Sequence, residues 1–227
     1  ITDASTSKSY GVLAYPGDYN EAVTLKDNVS LFAIGFRGSV KITQSSGTVL
    51  TTNTGSNSFV SNIHLAATGT AKIIDIPSGS TYQHNFFDCK LTYSSSTDHV
   101  DAITHASGFL NIVNCEGIYT NSGTTIGDNE HVFYSMIGST AYYFFDRFDI
   151  TMNIADGSDT AVGLEEFNTT LDNQATRSTL VINCTGGADA VGTRFKGSGS
   201  NKRVNRTNLF LYGNGGTGKT ITTNGDG

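Results

Sequence analysis

Three short phrases recur along this chain at a fixed interval, and that interval limits the fold more than any other feature. Ser61-Asn62-Ile63-His64-Leu65, Phe87-Asp88-Cys89-Lys90-Leu91 and Val113-Asn114-Cys115-Glu116-Gly117 put Asn or Asp at 62, 88 and 114, two steps of 26 residues. A second track, Lys72-Ile73-Ile74-Asp75-Ile76 followed by Asp98-His99-Val100-Asp101-Ala102, has the same step from Asp75 to Asp101, 101 − 75 = 26. A period of about 20 to 50 residues marks a solenoid, because one unit cannot bury its apolar face without its neighbours. The units are rich in β-branched and aromatic residues with period-2 alternation, so they read as strands. Asn62, Asp88, Asn114 and Asn183 are then expected at stacked corners, where Asn tolerates left-handed backbone and its side chain satisfies turn amides. Cys89 and Cys115 fall one period apart on one inward track, which favours buried free thiols, with Cys184 as a third, over a disulfide framework.

Composition agrees with many turns and short strands. Gly numbers 26 and Pro 2, Trp is absent, and charged residues are 15%, below the usual share of about 25%. The net charge of −6 gives no basic surface for nucleic acid or anionic membrane. No run has the length of a membrane-spanning helix. Ile1 reads as the start of a mature or trimmed chain without a leader.

The segment Tyr10–Gly38 carries the most local information. In Tyr10-Gly-Val-Leu-Ala-Tyr-Pro16-Gly17-Asp-Tyr19-Asn-Glu21, Pro16 suits the second position of a turn and Gly17 the third. Val23/Leu25 and Val29/Leu31 alternate on either side of Asp27-Asn28, before Gly35. The order strand, Pro-Gly-x-Tyr-x-Glu, strand, Val-x-Leu-x-x-x-Gly resembles the opening coil of pectin-lyase-like parallel β-helices such as pectin methylesterases. The resemblance implies an all-β, single-stranded, right-handed parallel β-helix, and is also similar to the β-helices of viral or phage spikes and fibres.

The reading is one domain over residues 1–227: an extension at 1–9, a first coil at 10–38, a solenoid at 39–212 and a Gly-rich tail at 213–227. Strand runs are expected at Val40–Thr43, Val49–Thr51, Phe59–Leu65, Ile73–Ile76, Phe86–Tyr93, Val100–Thr104, Phe109–Val113 and Val132–Ile137. Coils of about 26 residues lengthen after residue 118. The Asn/Asp track is expected to pass from Asn114 to Asp146 and Asn183, with surplus residues in loops around Thr120–Glu130 and Gly157–Thr179. The aromatic run Tyr142–Asp149 reads as core and inter-coil stacking. The alternative is a carbohydrate face using Tyr142, Tyr143 and Arg147.

Candidate chemistry is thin. Gly213-Asn-Gly-Gly-Thr-Gly218-Lys219-Thr220 matches a P-loop, but phosphate binding needs a helix directly after Lys-Thr, and β-branched, Gly-rich residues follow. It is read as a false match ending in a strand. Ser96-Thr97-Asp98 faintly resembles the Asn-Thr-Asp phrase of polygalacturonases, without the partner motifs that follow it there. Asp75, Asp98, Asp101 and His105 remain as catalytic candidates, with Asp75 and Asp101 able to pair if they stack on adjacent coils. His99, Asp101 and His105 lack zinc-like spacing, so no metal and no cofactor are expected. Asp128, Glu130 and His131 read as surface groups, and Glu165-Glu166 as a surface pair or rim. Glycosylation sequons occur at Asn28, Asn168, Asn183 and Asn205.

These features favour a structural or adhesive β-helix, virion-associated or displayed at an extracellular surface, with glycan binding as an associated role. The alternative is a polysaccharide lyase or glycoside hydrolase on the same fold. Open solenoid ends predict self-association, as a homotrimer by analogy with spikes, or contact with other virion or surface proteins.

Overall fold

The computed structural model describes residues 3–96, 100–123, 130–155, 160–167, 173–186, 189–196, 202–205, 208–213 and 219–220. All twenty strands belong to parallel pairings, and no helix occurs among the described residues. The chain is a parallel β-solenoid. Its strands fall into three ladders, one per face.

The first ladder stacks Tyr10–Ala14, Val29–Ala33, Ser58–Ser61 and Gln83–Phe87, then residues 109–113 and 142–146 of the long strands Ile103–Asn121 and Glu130–Ile154, and then Asn173–Thr176 and Lys202–Asn205. The second carries Gly17–Tyr19, Val40–Gln44, Ile63–Thr68, Lys90–Ser95, residues 115–121 and 148–154, Thr179–Cys184 and Asn208–Gly213. The third runs from Val23–Thr24 through Thr48–Thr51 and Lys72–Ile76 to residues 103–105 and 130–136, Thr160–Phe167, Asp189–Lys196 and Lys219–Thr220. The second coil already begins at Val29, which pairs with Tyr10, so Tyr10–Gly38 holds more than one coil.

The corner from first to second face is tight and left-handed. Asn62, Asp88 and Asn114 take φ of 65°, 55° and 54°. Asn62 Nδ2 donates to the Gly35 carbonyl, Asn114 Nδ2 donates to Asp88 Oδ1, and Arg37 Nη1 reaches the Asn114 carbonyl at 3.0 Å. Above them the corner passes to Arg147 and Arg177, with φ of 50° and 49°. The expected track through Asp146 and Asn183 is corrected here. Asp146 is one residue ahead of the corner, and Asn183 lies within the strand Thr179–Cys184, where its Nδ2 donates to Asn153 Oδ1 at 2.9 Å.

The 26-residue step holds only on the first two faces, between Ser58 and Asn121. Between the second and third faces the coil above inserts three residues: Thr68 pairs with Ser94, yet Ile74 pairs with Ile103. The next corner removes three, since Ile76 pairs with His105 and Gln83 with Phe109. Asp75 therefore stacks on Thr104, a step of 29, and not on Asp101. The expected loop Gly157–Thr179 is corrected as well: it contains the strands Thr160–Phe167 and Asn173–Thr176.

The core changes character along the axis. Lower coils are filled by Val40, Ile42, Val49, Leu50, Val60, Ile63 and Leu65, and higher ones by Tyr134, Tyr143, Phe145 and Phe148. Gly117 sits between Leu91 and Ile150 in register, and a Cβ there would collide with the Phe133 ring. The missing side chain is what admits that ring. Cys89 and Cys115 are buried free thiols one rung apart, the Cys89 amide pointing at Cys115 Sγ at 3.2 Å. Burial pushes the Cys115 thiol well above its ordinary range, and Cys184 is pushed up to about 11 by the same cause.

Candidate functional site

Two clusters bring titratable side chains of successive coils together, one inside the solenoid and one outside. The inner one follows the corner from third to first face. His84 is fully buried, with Nδ1 3.0 Å from Ser58 Oγ and Nε2 2.9 Å from Ser80 Oγ. One rung up, His105 Nε2 lies 3.1 Å from the carbonyls of both Ser107 and Gly108. Carbonyls only accept, so Nε2 carries the proton and Nδ1 accepts from the Tyr134 hydroxyl at 2.8 Å. Further up, the buried Glu166 carboxylate accepts from the Tyr143 hydroxyl and from Asn173 Nδ2 at 3.1 Å. Asn173 Oδ1 in turn accepts from the Tyr143 amide at 3.0 Å.

Electrostatics follow from enclosure. Burial holds both His84 and His105 at about 4, so the rings are neutral near pH 7. Burial, and then the nearby Glu166 charge, drive the Tyr134 and Tyr143 phenols well above their ordinary range, so they remain donors. The cluster is a satisfied polar spine inside the core. His105 is corrected as a catalytic candidate, because a fully buried ring between a tyrosine and two carbonyls meets no substrate.

The outer cluster is a column on the third face: Thr51, Asp75, Thr104, Ser135, Glu165 and Arg194 stack rung upon rung. Thr104 Oγ1 donates to Asp75, and Lys72 Nζ lies 3.3 Å from Thr104 Oγ1 and 3.9 Å from Asp75. Arg194 forks onto Glu130 and also bridges Glu165. Glu165 and Glu166 are both buried, on opposite sides of the strand, which corrects the surface-pair reading. An acidic pair within an otherwise apolar run, Ala161-Val162-Gly163-Leu164, was the available signal. Asp75 and Glu165 are three rungs apart, about 14 Å at roughly 4.8 Å per rung, too far for the two acids of a glycosidase, which stand about 5 to 9.5 Å apart.

The remaining candidates disperse. Asp98 lies outside the described residues. Asp101 precedes the third-face strand and is half-buried. Tyr142 faces outward and stacks on Phe109, whereas Tyr143 points inward and is buried. Arg147, at the left-handed corner, lies 3.5 Å from Asp146, so the expected carbohydrate trio shares no face. Among the described residues no group of three His, Cys, Asp or Glu side chains could hold a metal ion, and no helix could cross a membrane. No protein-family model matches the chain, and no curated protein matches it.

Gly213 ends the strand Asn208–Gly213, and Lys219–Thr220 is a strand paired with Ala190 and Val191; Gly218 lies outside the described residues. Strand amides at Lys219 point sideways into a ladder and cannot converge on phosphate as helix N-terminal amides do. Millimolar ATP with magnesium is expected to leave the melting temperature unchanged, and Lys219→Ala to make no difference to that result. A ligand binding only the folded chain at 100 times its dissociation constant would add about 2.7 kcal/mol, a shift that calorimetry would register.

Proposed function

We propose that this protein is a structural and adhesive β-solenoid, displayed on a virion or an extracellular surface, that acts through its faces without turning over a substrate. One observation carries the reading: the charged side chains gathered between rungs are engaged with one another. Asp146 is held by Arg177, whose Nε lies at 2.7 Å, and by Thr176 at 2.9 Å. Glu130 and Glu165 share Arg194, Lys90 meets Glu116 at 3.3 Å, and Asp75 is taken up by Thr104 and Lys72. The Arg177 hydrogen bonds lead in lowering Asp146 below the usual carboxylate range. A general acid needs its proton near neutral pH and so requires the opposite shift.

The enzyme alternative remains a polysaccharide lyase or glycoside hydrolase. Incubation with neutral and acidic polysaccharides, read as new reducing ends and unsaturated products, is expected to give no turnover. Turnover abolished by Asp75→Asn or Glu165→Gln would overturn the reading. Such a solenoid would work in more than one copy or against other surface proteins, and its first coil carries exposed apolar side chains. There Leu13 is 60% and Tyr15 68% exposed beside a cavity of about 520 Å³ lined by Val12, Tyr19, Val23 and Leu25.

A further inference from the structure

The three outer faces differ in charge. Register alternation sends Asp18, Lys41, His64, Lys90, Glu116 and Asp149 outward in one column of the second face. The third face carries Asp75, Glu165 and Arg194. On the first face, the outward positions of the five rungs from Gly11 to Val113 hold no charged side chain, and on the sixth Asp146, in register above Val113, is only 5% exposed and bound by Arg177. One column reads Gly11, Ser30, Phe59, Asn85, Asn111, Phe144, and beside it Leu13, Phe32, Ser61, Phe87, Val113. Gln83, Phe109 and Tyr142 form a third. Asn111 donates to Asn85 at 3.2 Å, and Asn85 to the Ser58 carbonyl at 3.2 Å, so the amides tie the rungs together and leave the rings as the relief.

The rings lie in stacks between rungs. Phe109 and Tyr142 are 4.7 Å apart at 20°, and Phe59 and Phe87 6.4 Å apart at 14°. Rings stacked along the solenoid axis cover one another's faces and turn their edges outward. A sugar stacks on a ring face, whereas a packed protein surface interlocks with edges and methyl groups.

We propose that the outer surface of the first face is the contact through which this chain associates with a second copy of itself, a deepening that rests on the structural reading above. Ridges repeating at the rung spacing, about 4.8 Å, find a matching pitch in another coil of the same solenoid. Two copies each carrying −6 repel through their charged faces and meet without repulsion through this one. Six rungs by about five residues make a patch of roughly 400 Å², about half the surface per partner of a standard stable interface. Association is therefore concentration-dependent, in the micromolar range.

Sedimentation of the full chain across micromolar concentrations tests this, with Phe87→Glu/Phe109→Glu on the face and Tyr15→Glu, outside it, at the open first coil. The expected result is a wild type that gains mass with concentration, an end variant that behaves like it, and a face variant weakened about 30-fold or more with unchanged melting temperature. A face variant that associates like wild type overturns the proposal and leaves self-association, by another surface, standing. A wild type that stays monomeric overturns both. Should the face variant fold poorly, a nitroxide on Gln83→Cys, with the native thiols buried, is expected to broaden with concentration where one on Lys41→Cys does not. Equal behaviour of the two labels counts against the proposal. So does a monomeric wild type whose binding to a glycan array is lost in the face variant.

Discussion

Lowering the pH from 7 to 4 is expected to remove about 3 to 7 kcal/mol from the stability of this fold, most of it from two histidines. In the folded chain burial holds His84 and His105 at about 4, against 6.5 for an exposed ring. The folded-state value is the depressed one and the neutral form is the favoured one. Their contribution is therefore complete above pH 6.5 and is lost as the pH falls toward 4. Each 2.5-unit difference corresponds to at most about 3.4 kcal/mol. The geometry gives the reason: a second proton on His105 would sit on Nδ1, where the Tyr134 hydroxyl now donates, and His84 lies next in the spine. His64, held at about 4 by burial and by Lys41 and Lys90, adds in the same direction, and partial solvation keeps its contribution smaller. Asp146, lowered from 3.8, loses its contribution only as the pH falls through and below that value, outside the window from 6.5 to 4. Denaturant midpoints measured across it should fall steadily, and in a His84→Gln/His105→Gln variant the slope should flatten even if the variant starts lower. A wild-type midpoint constant over the window would mean that the rings protonate without leaving the fold.

What could be read from the sequence, and what could not, follows from how strongly each position restricts residue type. A left-handed corner whose side chain must also bond to the next coil is met best by Asn or Asp, so Asn62, Asp88 and Asn114 stand out at their spacing. Where the next coils solve the same backbone problem with Arg147 and Arg177, nothing in an arginine announces a positive φ. A reader following Asn and Asp is led to Asp146, one residue short, and to Asn183, which belongs to a strand. The third-face step was hidden because one corner gains three residues and the next loses three, so the overall period looks constant. The inner spine was illegible for another reason. His84, His105, Tyr134, Tyr143 and Glu166 lie far apart in sequence, and they converge only once four coils are in register.

Phe145→Ala is expected to destabilise the protein by about 3 to 5 kcal/mol. Phe145 stacks on Tyr143 at 4.2 Å and meets Tyr134 edge-on at 5.1 Å and Phe148 at 5.4 Å. All four rings are buried. Removing the central ring leaves a cavity that stiff neighbours projecting from all three faces of the coil fill poorly, so the cost should lie toward the upper end. Phe145→Leu should recover much of it by keeping volume. Tyr142→Ala, three residues earlier and half-buried on the outer face, should cost far less, and the contrast tests which rings of the Tyr142–Phe148 run point inward. Solenoid coils touch only their neighbours, so damage should be local. Hydrogen exchange in Phe145→Ala is expected to quicken in residues 140–154 and 173–184 and to stay close to wild type in 40–68. Uniform acceleration along the whole chain would instead mean that the coils unfold as one cooperative unit, with Phe145 contributing to all of it.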